Sequence, residues 1–430
     1  MRGGLHEIAE EQERALIVGV RRPGQGWPLE SSMAELTRLV ETAGAEVVAQ
    51  TSQTLDAINP KTFVGSGKAR EIAELAKAEQ IDVVIFDDEL SPTQQSNLEK
   101  AVGAPIKVLD RTALILDIFA LHATTREGRL QVRLAQNQYL YPRLRGMWAH
   151  LASYRMGGGV GSRFGEGESQ LEVDRRIVRK RITSIKRELA HLERVRNVQR
   201  VGRMESGIAR IALAGYTNAG KSSLINRLCD ADVLSYDKLF ATLDSTTRRL
   251  KLPEGREVTC TDTVGFIKKL PTTLVEAFKS TLAEISEADL ILHVIDASSL
   301  EADEQIEAVE NVLAQIGAER IPRVDVLNKC DLLDERQLEA LIAGHPEAVA
   351  ISAHTGWGIE NLLERIARET SMSDKRIKVL IPYSDGKAIA QAHSLCKIEQ
   401  ETHEADGAHI TMLVPQKEGH LFERYEISSV

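Results

Sequence analysis

Cysteine is scarce in this 430-residue sequence, and its four residues lie far apart without a CxxC pair: Cys229, Cys260, Cys330 and Cys396. This spacing excludes a disulfide framework and a zinc site, and indicates reduced, buried thiols in a cytosolic protein. No apolar run approaches the roughly 18 residues of a membrane span. The opening residues, MRGGLHEIAEEQE, also lack the apolar core of a signal peptide. We therefore expect a cytoplasmic protein, and the sequence gives no support for peripheral membrane association.

Charge is distributed unevenly along the chain. The net charge of −9 argues against a nucleic-acid partner if the charge is spread evenly. Between Arg126 and Arg203, however, 18 Lys or Arg residues stand against seven Asp or Glu residues, a net +11 that leaves −20 for the remainder. A basic stretch inside an acidic protein indicates a polyanionic partner. The alternative is a solvated helical surface of the same composition.

Strand-like and helix-like patterns alternate between Arg14 and Asp110. Short apolar runs rich in β-branched residues, separated by helices, predict a parallel sheet whose faces are covered by helices. The predicted strands are ALIVGV, EVVAQ, DVVIF and IKVLD, and the predicted helices are Ser32–Ala43, Ala69–Ala78 and Thr93–Ala101.

The basic stretch carries apolar residues at a spacing that predicts two helices joined by a narrow seam. A tip of six glycines within Met156–Ser169 separates the two patterns, so an antiparallel helical hairpin is expected. Pro142 should kink or restart the first helix. The predicted seam residues are Leu130, Leu134, Tyr141, Leu144, Trp148, Leu151, Val178, Ile182, Ile185, Leu189 and Leu192, and the arginines expected to face outward are Arg175, Arg176, Arg179, Arg181, Arg187, Arg194 and Arg196.

The segment GYTNAGKSS, Gly215 to Ser223, matches GxxxxGK[ST] between an apolar strand, IARIALA, and the helix-like LINRL. Its glycines let the backbone curl so that successive N–H groups point at phosphate oxygens, and the following helix adds its positive dipole end. In this arrangement Lys221 reaches the β- and γ-phosphates and Ser222 is a ligand of Mg²⁺. The motif predicts a nucleoside triphosphate site.

Three further motifs complete the pattern of a guanine-nucleotide site. CTDTVGF ends a strand with Asp262, which holds Mg²⁺ directly or through water, and Gly265 offers an N–H to the γ-phosphate. RVDVLNKCD supplies Asn328, Lys329 and Asp331. The carboxylate of Asp331 can accept hydrogen bonds from N1–H and the exocyclic amine of guanine, a pair that adenine lacks. ISAHTG, with Ser352 to His354, suits a backbone contact to the base oxygen.

The segment FATLDSTTRR lies between the first two motifs and predicts a nucleotide switch, because a hydroxyl here completes the Mg²⁺ shell only when the γ-phosphate is present. Thr242, Thr246 and Thr247 are the candidates, and spacing does not choose among them. Phe266 stands where small regulatory GTPases carry the glutamine that orients the attacking water. We therefore predict slow intrinsic hydrolysis, with the missing group supplied by a partner.

In these motifs the sequence resembles the HflX family of translation-factor-related, ribosome-associated GTPases. The resemblance covers most of the chain and is carried by KTFVGSGKAREIAE, VIFDDELSPTQQSNLE, DRTALILDIFA, GESQLEVDRR, GYTNAGKS, LFATLD, DTVGF and LNKCD in order. The sequence departs from the family pattern at two places. The segment GSRFGEGESQLE lacks the proline that the family usually has there, and ATLDST stands in place of ATLDPT.

The patterns along the chain and the resemblance together predict an α/β fold in four parts. These are an N-terminal α/β subdomain with a parallel sheet (1–125), a basic antiparallel helical hairpin (126–205), a Ras-like P-loop G domain (206–372) and a small α+β module (373–430). In the last part we predict the strand IKVLIPY, a helix Gly386–Ile398, the strand HITMLVP and a last helical turn.

The resemblance also implies site residues, cofactors and partners. GTP or GDP and Mg²⁺ are the expected cofactors; Ser222 and Thr242 are the expected protein ligands of Mg²⁺, and Lys221, Thr242, Asp262 and Gly265 the expected catalytic residues. The expected partner is the large (50S) ribosomal subunit, reached through rRNA by the Arg126–Arg203 hairpin, and the protein is expected to be a monomer that does not bind DNA. The expected nucleotide contacts are Gly215, Tyr216, Thr217, Asn218, Ala219, Gly220, Lys221, Ser222, Ser223, Phe240, Ala241, Thr242, Leu243, Asp244, Asp262, Thr263, Val264, Gly265, Asn328, Lys329, Asp331, Ser352, Ala353 and His354.

The function that follows is a GTPase switch that binds the large subunit and promotes dissociation of stalled or idle ribosomes. Two alternatives remain open. One is ATP-dependent RNA remodelling through the N-terminal half, where VGSGKAR (Val64 to Arg70) imitates a fragment of a P-loop. The other is a non-catalytic adaptor whose nucleotide state permits binding to a second protein.

Overall fold

The computed structural model describes residues 12–24, 27–144, 166–204, 208–229, 239–240, 245–269, 279–371, 374–415 and 418–427. The chain divides into two compact units. The N-terminal unit takes the described residues up to Leu189 together with Lys269, and the C-terminal unit takes those of 190–268 and 278–430. Each is considered by itself.

The N-terminal unit contains a four-stranded sheet of order β2-β1-β3-β4, in which all neighbours are parallel. This confirms the parallel α/β arrangement that the alternating pattern predicted. The sheet and its helices bury one apolar core against β1, β3 and β4. The elements are β1 (Arg14–Arg21), α1 (Leu29–Thr42), β2 (Glu46–Thr54), α2 (Ser66–Ala78), β3 (Val83–Phe86), α3 (Pro92–Val102), β4 (Lys107–Asp110) and α4 (Arg111–His122).

Local signals explain where two of these helices begin. Ser91 and Gln94 form a reciprocal capping box at the start of α3, with Pro92 in the first helical position. The carboxylate of Asp110 accepts the N–H of Ala113, 2.8 Å away, and so caps α4 directly after β4. Each cap satisfies N–H groups that the helix itself cannot use.

Two helices of the basic stretch, α5 (Arg126–Arg143) and α6 (Glu166–Met204), are described, whereas the predicted glycine-rich tip lies largely outside the described residues. Within the N-terminal unit they run antiparallel, because Arg126 pairs with Glu188 and Tyr141 accepts a hydrogen bond from Arg179. α5 ends one residue after Pro142, as a proline near a helix end allows.

The predicted seam of the hairpin is present in the described part. Leu130, Leu134 and Ile185 are buried, and Val178 and Ile182 are half-buried. The outward arginines of α6 are exposed or half-buried, in keeping with a basic helical surface; they are Arg175, Arg176, Arg179, Arg181, Arg187, Arg194 and Arg196.

The C-terminal unit contains a six-stranded sheet of order β10-β9-β8-β5-β7-β6, parallel except for the β6–β7 pair. Strands β5 and β8 are almost entirely buried, as continuous apolar runs in a helix-covered sheet must be. The elements are β5 (Ala209–Gly215), α7 (Lys221–Cys229), β6 (Thr246–Lys251), β7 (Glu257–Asp262), α8 (Lys279–Ser286), β8 (Leu290–Asp296), α9 (Ala302–Gln315), β9 (Arg323–Asn328), α10 (Glu335–Gly344), β10 (Val349–Ala350) and α11 (Ile359–Ser371).

A second, three-stranded antiparallel sheet of order β11-β13-β12 ends the unit, packed around its own apolar core. Its elements are β11 (Asp374–Ile381), α12 (Gly386–Leu395), β12 (Lys397–Glu404), β13 (Gly407–Pro415) and α13 (Gly419–Phe422). The helix predicted to reach Ile398 ends at Leu395, and β12 is an element that the sequence analysis missed. β12 is an edge strand with mostly exposed polar residues, KIEQETHE, so it lacks the apolar alternation that identifies a strand.

The structure therefore confirms the α/β class with parallel sheets, while the division into four domains stays a prediction. In the described part of the chain, no helix combines the length and the apolar character needed to cross a bilayer. The four cysteines are all thiols.

Buried charges occupy the carboxyl edge of the N-terminal sheet. Arg111 and Asp87, each 1% exposed, are joined by a 2.8 Å contact between Nη1 and Oδ1, and Arg111 also pairs with the buried Glu35. Ser32 Oγ and Lys269 Nζ, each 2.6 Å from the other carboxylate oxygen of Asp87, complete the cluster. The guanidinium of Arg111 thus contacts two buried carboxylates, and Lys269 adds a second cation at Asp87.

We predict that Arg111→Met destabilises the N-terminal unit by about 3–5 kcal/mol, because it takes the guanidinium away from two buried carboxylates and leaves Lys269 beside Asp87 alone. Hydrogen exchange read by mass spectrometry should show faster opening of β1, β3 and β4. Arg21→Met is the matched control, since Arg21 pairs with Glu30 on the surface and such pairs contribute at most about 1 kcal/mol. Equal exchange in the two variants would contradict this account of the cluster.

Candidate nucleotide-binding site

The phosphate loop, defined as residues 215–220, joins β5 to α7 with two left-handed residues. Asn218 has φ +62° and Gly220 has φ +94°. A Cβ at Gly220 would lie 2.2 Å from Asn328 Nδ2, so only glycine fits there. The loop therefore turns sharply and delivers the chain into α7, whose first N–H groups lack helical partners and suit an anion. The structure places Gly215, Tyr216, Thr217, Asn218, Ala219, Gly220, Lys221, Ser222 and Ser223 in this one strand–loop–helix unit.

Lys221, the first residue of α7, folds back over the loop and is only 6% exposed. Its Nζ donates to the carbonyl oxygens of Gly215 (3.1 Å) and Tyr216 (2.8 Å). Burial lowers the pKa of Lys221 to about 8, and the negative charge of Asp262 opposes this shift. A phosphate at this position would favour the charged form that burial disfavours.

Ser222 and Asp262 place two oxygen ligands side by side. Ser222 Oγ donates to Asp262 Oδ2 at 2.7 Å, and Asp262 is 1% exposed at the end of β7. Hydroxyl and carboxylate oxygens are the donors that Mg²⁺ prefers. The pair therefore fits a Mg²⁺ ion that would replace the hydrogen bond between them.

The DxxG loop, defined as residues 262–268, begins at the last residue of β7 and is bonded to the phosphate loop through the backbone. The N–H of Phe266 donates to the carbonyl of Gly215 (3.1 Å), and the N–H of Thr217 donates to that of Phe266 (2.7 Å). A Cβ on Gly265 would lie 2.9 Å from Thr217 Cγ2 and 3.1 Å from Lys221 Nζ. Gly265 therefore brings its backbone next to the lysine that was predicted to hold the γ-phosphate.

The side chains of the DxxG loop point into the apolar interior. Thr263 and Val264 are buried, and Thr263 Oγ1 donates to the carbonyl of Leu213 at 2.5 Å. Phe266 is 1% exposed. Its ring has no polar atom with which to orient a water molecule, so the residues that follow Asp262 in this loop offer the site backbone groups.

The switch segment is described only in part. Phe240 is 2% exposed and has φ +57°. Thr246 and Thr247 belong to β6, where Thr246 pairs with Asp262 and Thr247 Oγ1 lies 3.0 Å from Thr261 Oγ1. Ladder positions account for these two threonines without a metal. The assignment of the switch hydroxyl stays a prediction, because the remaining expected contacts lie outside the described residues; these are Ala241, Thr242, Leu243 and Asp244.

The loop after β9 is connected to the phosphate loop by Asn328. Its Nδ2 donates to the carbonyl of Ala219 (2.8 Å), and its Oδ1 accepts the N–H of Ala353 (2.9 Å). Lys329 has a left-handed φ of +65°, and its Nζ lies 2.7 Å from Asp296 Oδ2. The buried amide of Asn328 thus joins the loop after β9 to the phosphate loop and to the segment around Ala353.

Asp331 lies in the short 3-10 turn Cys330–Leu332, directly after these residues, and is exposed. The N–H of Cys330 donates to the carbonyl of Ile351 (3.1 Å), which keeps the turn beside the strand end that leads into Ser352. An exposed carboxylate at this edge can accept hydrogen bonds from N1–H and the exocyclic amine of guanine.

The base loop, defined as residues 352–357, is a closed turn. Ser352 Oγ accepts the N–H of Thr355 (3.0 Å), and the Ser352 carbonyl accepts the N–H of Gly356 (2.8 Å). Ser352 and Ala353 are buried, whereas His354 is exposed. The four sequence motifs therefore meet at the carboxyl edge of one parallel sheet, where α/β folds bind their ligands.

Two side chains outside the predicted roles also shape this site. The hydroxyl of Tyr216 accepts the N–H of Lys268 at 2.8 Å, and Arg227 donates to the carbonyls of Ala353 and His354. Both contacts end on backbone atoms distant in sequence, so no spacing pattern could reveal them.

The P-loop-like VGSGKAR segment of the N-terminal unit has a different geometry. α2 begins at Ser66, so Gly67 and Lys68 lie within its first turn. Lys68 Nζ is 2.7 Å from Glu71 Oε1 and 2.9 Å from Thr51 Oγ1. The segment is therefore the beginning of a helix with an ion-paired lysine.

Family models agree with the motifs. Three family models match successive parts of the chain: a GTP-binding GTPase N-terminal region (30–120), a GTP-binding GTPase middle region (122–203) and a 50S ribosome-binding GTPase (210–329). A solved GTP-binding protein from Sulfolobus solfataricus, in complex with GDP, is 23% identical with a TM-score of 0.44; the match covers 83% of this chain and 98% of that one.

Curated relatives are considerably more similar. GTPase HflX of Caldanaerobacter subterraneus subsp. tengcongensis is 46% identical over 403 residues, which cover 94% of this chain and 91% of the relative. GTPase HflX of Escherichia coli (strain K12) is 44% identical over 378 residues, or 87% and 88% of the two chains. Together with the P-loop site described above, this similarity over nearly the whole length shows that the chain belongs to the HflX family of GTPases and is a GTP hydrolase.

Proposed function

We propose that this GTPase is a switch that binds the large ribosomal subunit in its GTP form and promotes dissociation of stalled or idle ribosomes. The observation that carries the proposal is the combination of a G-domain match described as a 50S ribosome-binding GTPase with a basic antiparallel hairpin in the same chain. GTP must bind a conformation that fits the ribosome better than the GDP form does, since only differential binding shifts an equilibrium. We take the acting species to be a cytoplasmic monomer that does not bind DNA.

The geometry of the site supports particular roles in hydrolysis. Lys221 would hold the β- and γ-phosphates, and Ser222 with Asp262 would hold Mg²⁺, with Thr242 as the further protein ligand in the triphosphate form. Bound Mg²⁺ supplies charge stabilisation to the phosphates during transfer. Gly265 would offer its N–H to the γ-phosphate, next to the backbone bonds that join the DxxG loop to the phosphate loop.

The same geometry implies slow turnover by the protein alone. Phe266 carries no group that can orient the attacking water, and its ring is buried. The group that completes the catalytic arrangement would come from the ribosome or from ordering of the switch segment on it. Hydrolysis then returns the protein to the GDP form and resets the switch.

The binding surface in this proposal is the exposed arginine-rich side of α6. Between Arg126 and Arg203 the positive charges exceed the negative ones by 11. Such a surface suits the phosphates of rRNA, and the glycine-rich segment at the tip suits RNA, which is often recognised by adaptable segments that order on contact.

The proposal is tested by light scattering of intact ribosomes mixed with the purified protein. We expect scattering to fall, as subunits separate, with GTP or a non-hydrolysable analogue but not with ATP. Lys221→Ala should abolish the effect. A scattering signal unchanged by GTP would contradict the proposal, and splitting that requires ATP would favour RNA remodelling instead. GTP turnover that large subunits leave unchanged would favour the adaptor.

Reversal of the charges at Arg175, Arg176 and Arg179 to glutamate should weaken binding to the large subunit and flatten its salt dependence, lowering the slope of log K against log salt by about two to three. The matched control reverses three exposed cations of the N-terminal unit, Arg38, Lys77 and Lys100, with the same change in net charge. Sedimentation with large subunits over a salt series measures both. Equal losses in the two triple variants would mean that only net charge matters and that the hairpin is not the RNA contact.

Nucleotide affinity should depend on pH through Lys221. Its pKa of about 8 in the nucleotide-free protein should rise when phosphates bind, so binding takes up a proton once the pH exceeds about 8. GDP affinity should be flat below that pH and fall by up to tenfold per unit above it. Calorimetry in two buffers of different ionisation enthalpy measures the uptake. Lys221→Arg, which stays charged, should show none, and equal uptake in both proteins would rule out Lys221 as its source.

A further inference from the structure

We propose that Arg227 is a positioning residue for guanine recognition, acting on the peptide between Ala353 and His354. Arg227 lies near the end of α7, the helix that begins with the phosphate-binding Lys221. Its Nε donates to the carbonyl of Ala353 at 3.1 Å and its Nη2 to that of His354 at 2.5 Å. Two donors of one planar group thus contact two successive carbonyls.

The contacts on Ala353 come from both sides. Its N–H is bound by Asn328 Oδ1 at 2.9 Å, and its carbonyl by Arg227. The internal bonds of the base loop involve Ser352, Thr355, Gly356 and Trp357, and therefore do not fix the peptide that joins Ala353 to His354. Arg227 supplies that constraint.

Peptide planarity carries the effect from the carbonyl to the base. In a trans peptide the C=O of one residue and the N–H of the next point in opposite directions. A guanidinium that holds the Ala353 carbonyl therefore directs the His354 N–H away from Arg227. This N–H belongs to the segment predicted to contact the oxygen at position 6 of guanine.

The backbone of the loop allows the guanidinium to lie close by. Gly356 has φ +89°, and a Cβ placed on it would be 3.9 Å from Cζ, Nε and Nη1 of Arg227. Arginine rather than lysine suits the position, since lysine offers a point charge in place of two donors in fixed geometry. Arg227 is exposed, so its replacement does not open a cavity.

The inference deepens the proposed function and rests on the binding of guanine nucleotides at this site. Its test compares GDP with 6-thio-GDP, in which sulfur, a weak acceptor, replaces the oxygen and the groups available to Asp331 are retained. Dissociation constants are measured by calorimetry for the full chain, for Arg227→Ala and for Arg227→Lys. Arg320→Ala is the matched control, because Arg320 is an exposed arginine that precedes β9 and so lies at the opposite edge of the sheet.

We expect Arg227→Ala to weaken GDP binding about tenfold and 6-thio-GDP binding less than about threefold, with Arg227→Lys intermediate for GDP and Arg320→Ala unchanged for both. Equal losses for the two ligands in Arg227→Ala would overturn the proposal and assign Arg227 a general role in loop stability. Unchanged GDP binding in that variant would also overturn it. Absence of GDP binding by the unmodified protein would instead overturn guanine-nucleotide binding itself.

Discussion

The buried amide of Asn328 is the contact on which the rest of the nucleotide site depends. Each loop at the carboxyl edge of the sheet is predicted to recognise a different part of the ligand. Asn328 donates to the phosphate loop at Ala219 and accepts from the base loop at Ala353, while its own backbone continues into the turn that presents Asp331. A single buried side chain with both a donor and an acceptor satisfied is rigid, because any movement leaves a polar atom unpaired in a dry environment. The distance between the phosphate and base subsites is set in this way.

The DxxG loop is attached differently, and the difference suits a switch. Its contacts with the phosphate loop are two backbone hydrogen bonds at Phe266 and the bond from the N–H of Lys268 to the hydroxyl of Tyr216. Each of these bonds contributes only about 1 kcal/mol, far less than the interactions that a γ-phosphate and Mg²⁺ can offer. The part of the site predicted to recognise the base is therefore held by a buried side chain, and the part predicted to contact the third phosphate is held by bonds that can be exchanged.

The sequence predicted the fold class and the positions of the motifs because both depend on local signals. Short apolar runs that alternate with helical patterns predicted a parallel sheet. The GxxxxGK[ST] spacing predicted a phosphate loop between a strand and a helix, which are β5 and α7 in the structure. The sequence failed where contacts join distant residues or where a strand is polar. Neither Arg227 nor the hydroxyl of Tyr216 could be identified, since their partners are backbone atoms selected by the fold. Strand β12 was missed because an exposed edge strand needs no apolar face, and the cluster around Arg111 depends on helices and strands that only the folded sheet brings together. The ligand contacts themselves stay predictions, most of all at Thr242.

The central claim is that this edge of the sheet distinguishes guanine from other bases through the carboxylate of Asp331. The most direct measurement is calorimetric binding of GDP, ADP and xanthosine diphosphate to the unmodified protein and to Asp331→Asn. The unmodified protein should prefer GDP over ADP by at least about a hundredfold, because adenine leaves the carboxylate without donors. The variant should lose that preference and gain affinity for xanthosine diphosphate, whose oxygen at position 2 can accept from the new amide. Equal affinity of the unmodified protein for GDP and ADP, or a preference for GDP that survives Asp331→Asn, would contradict the account.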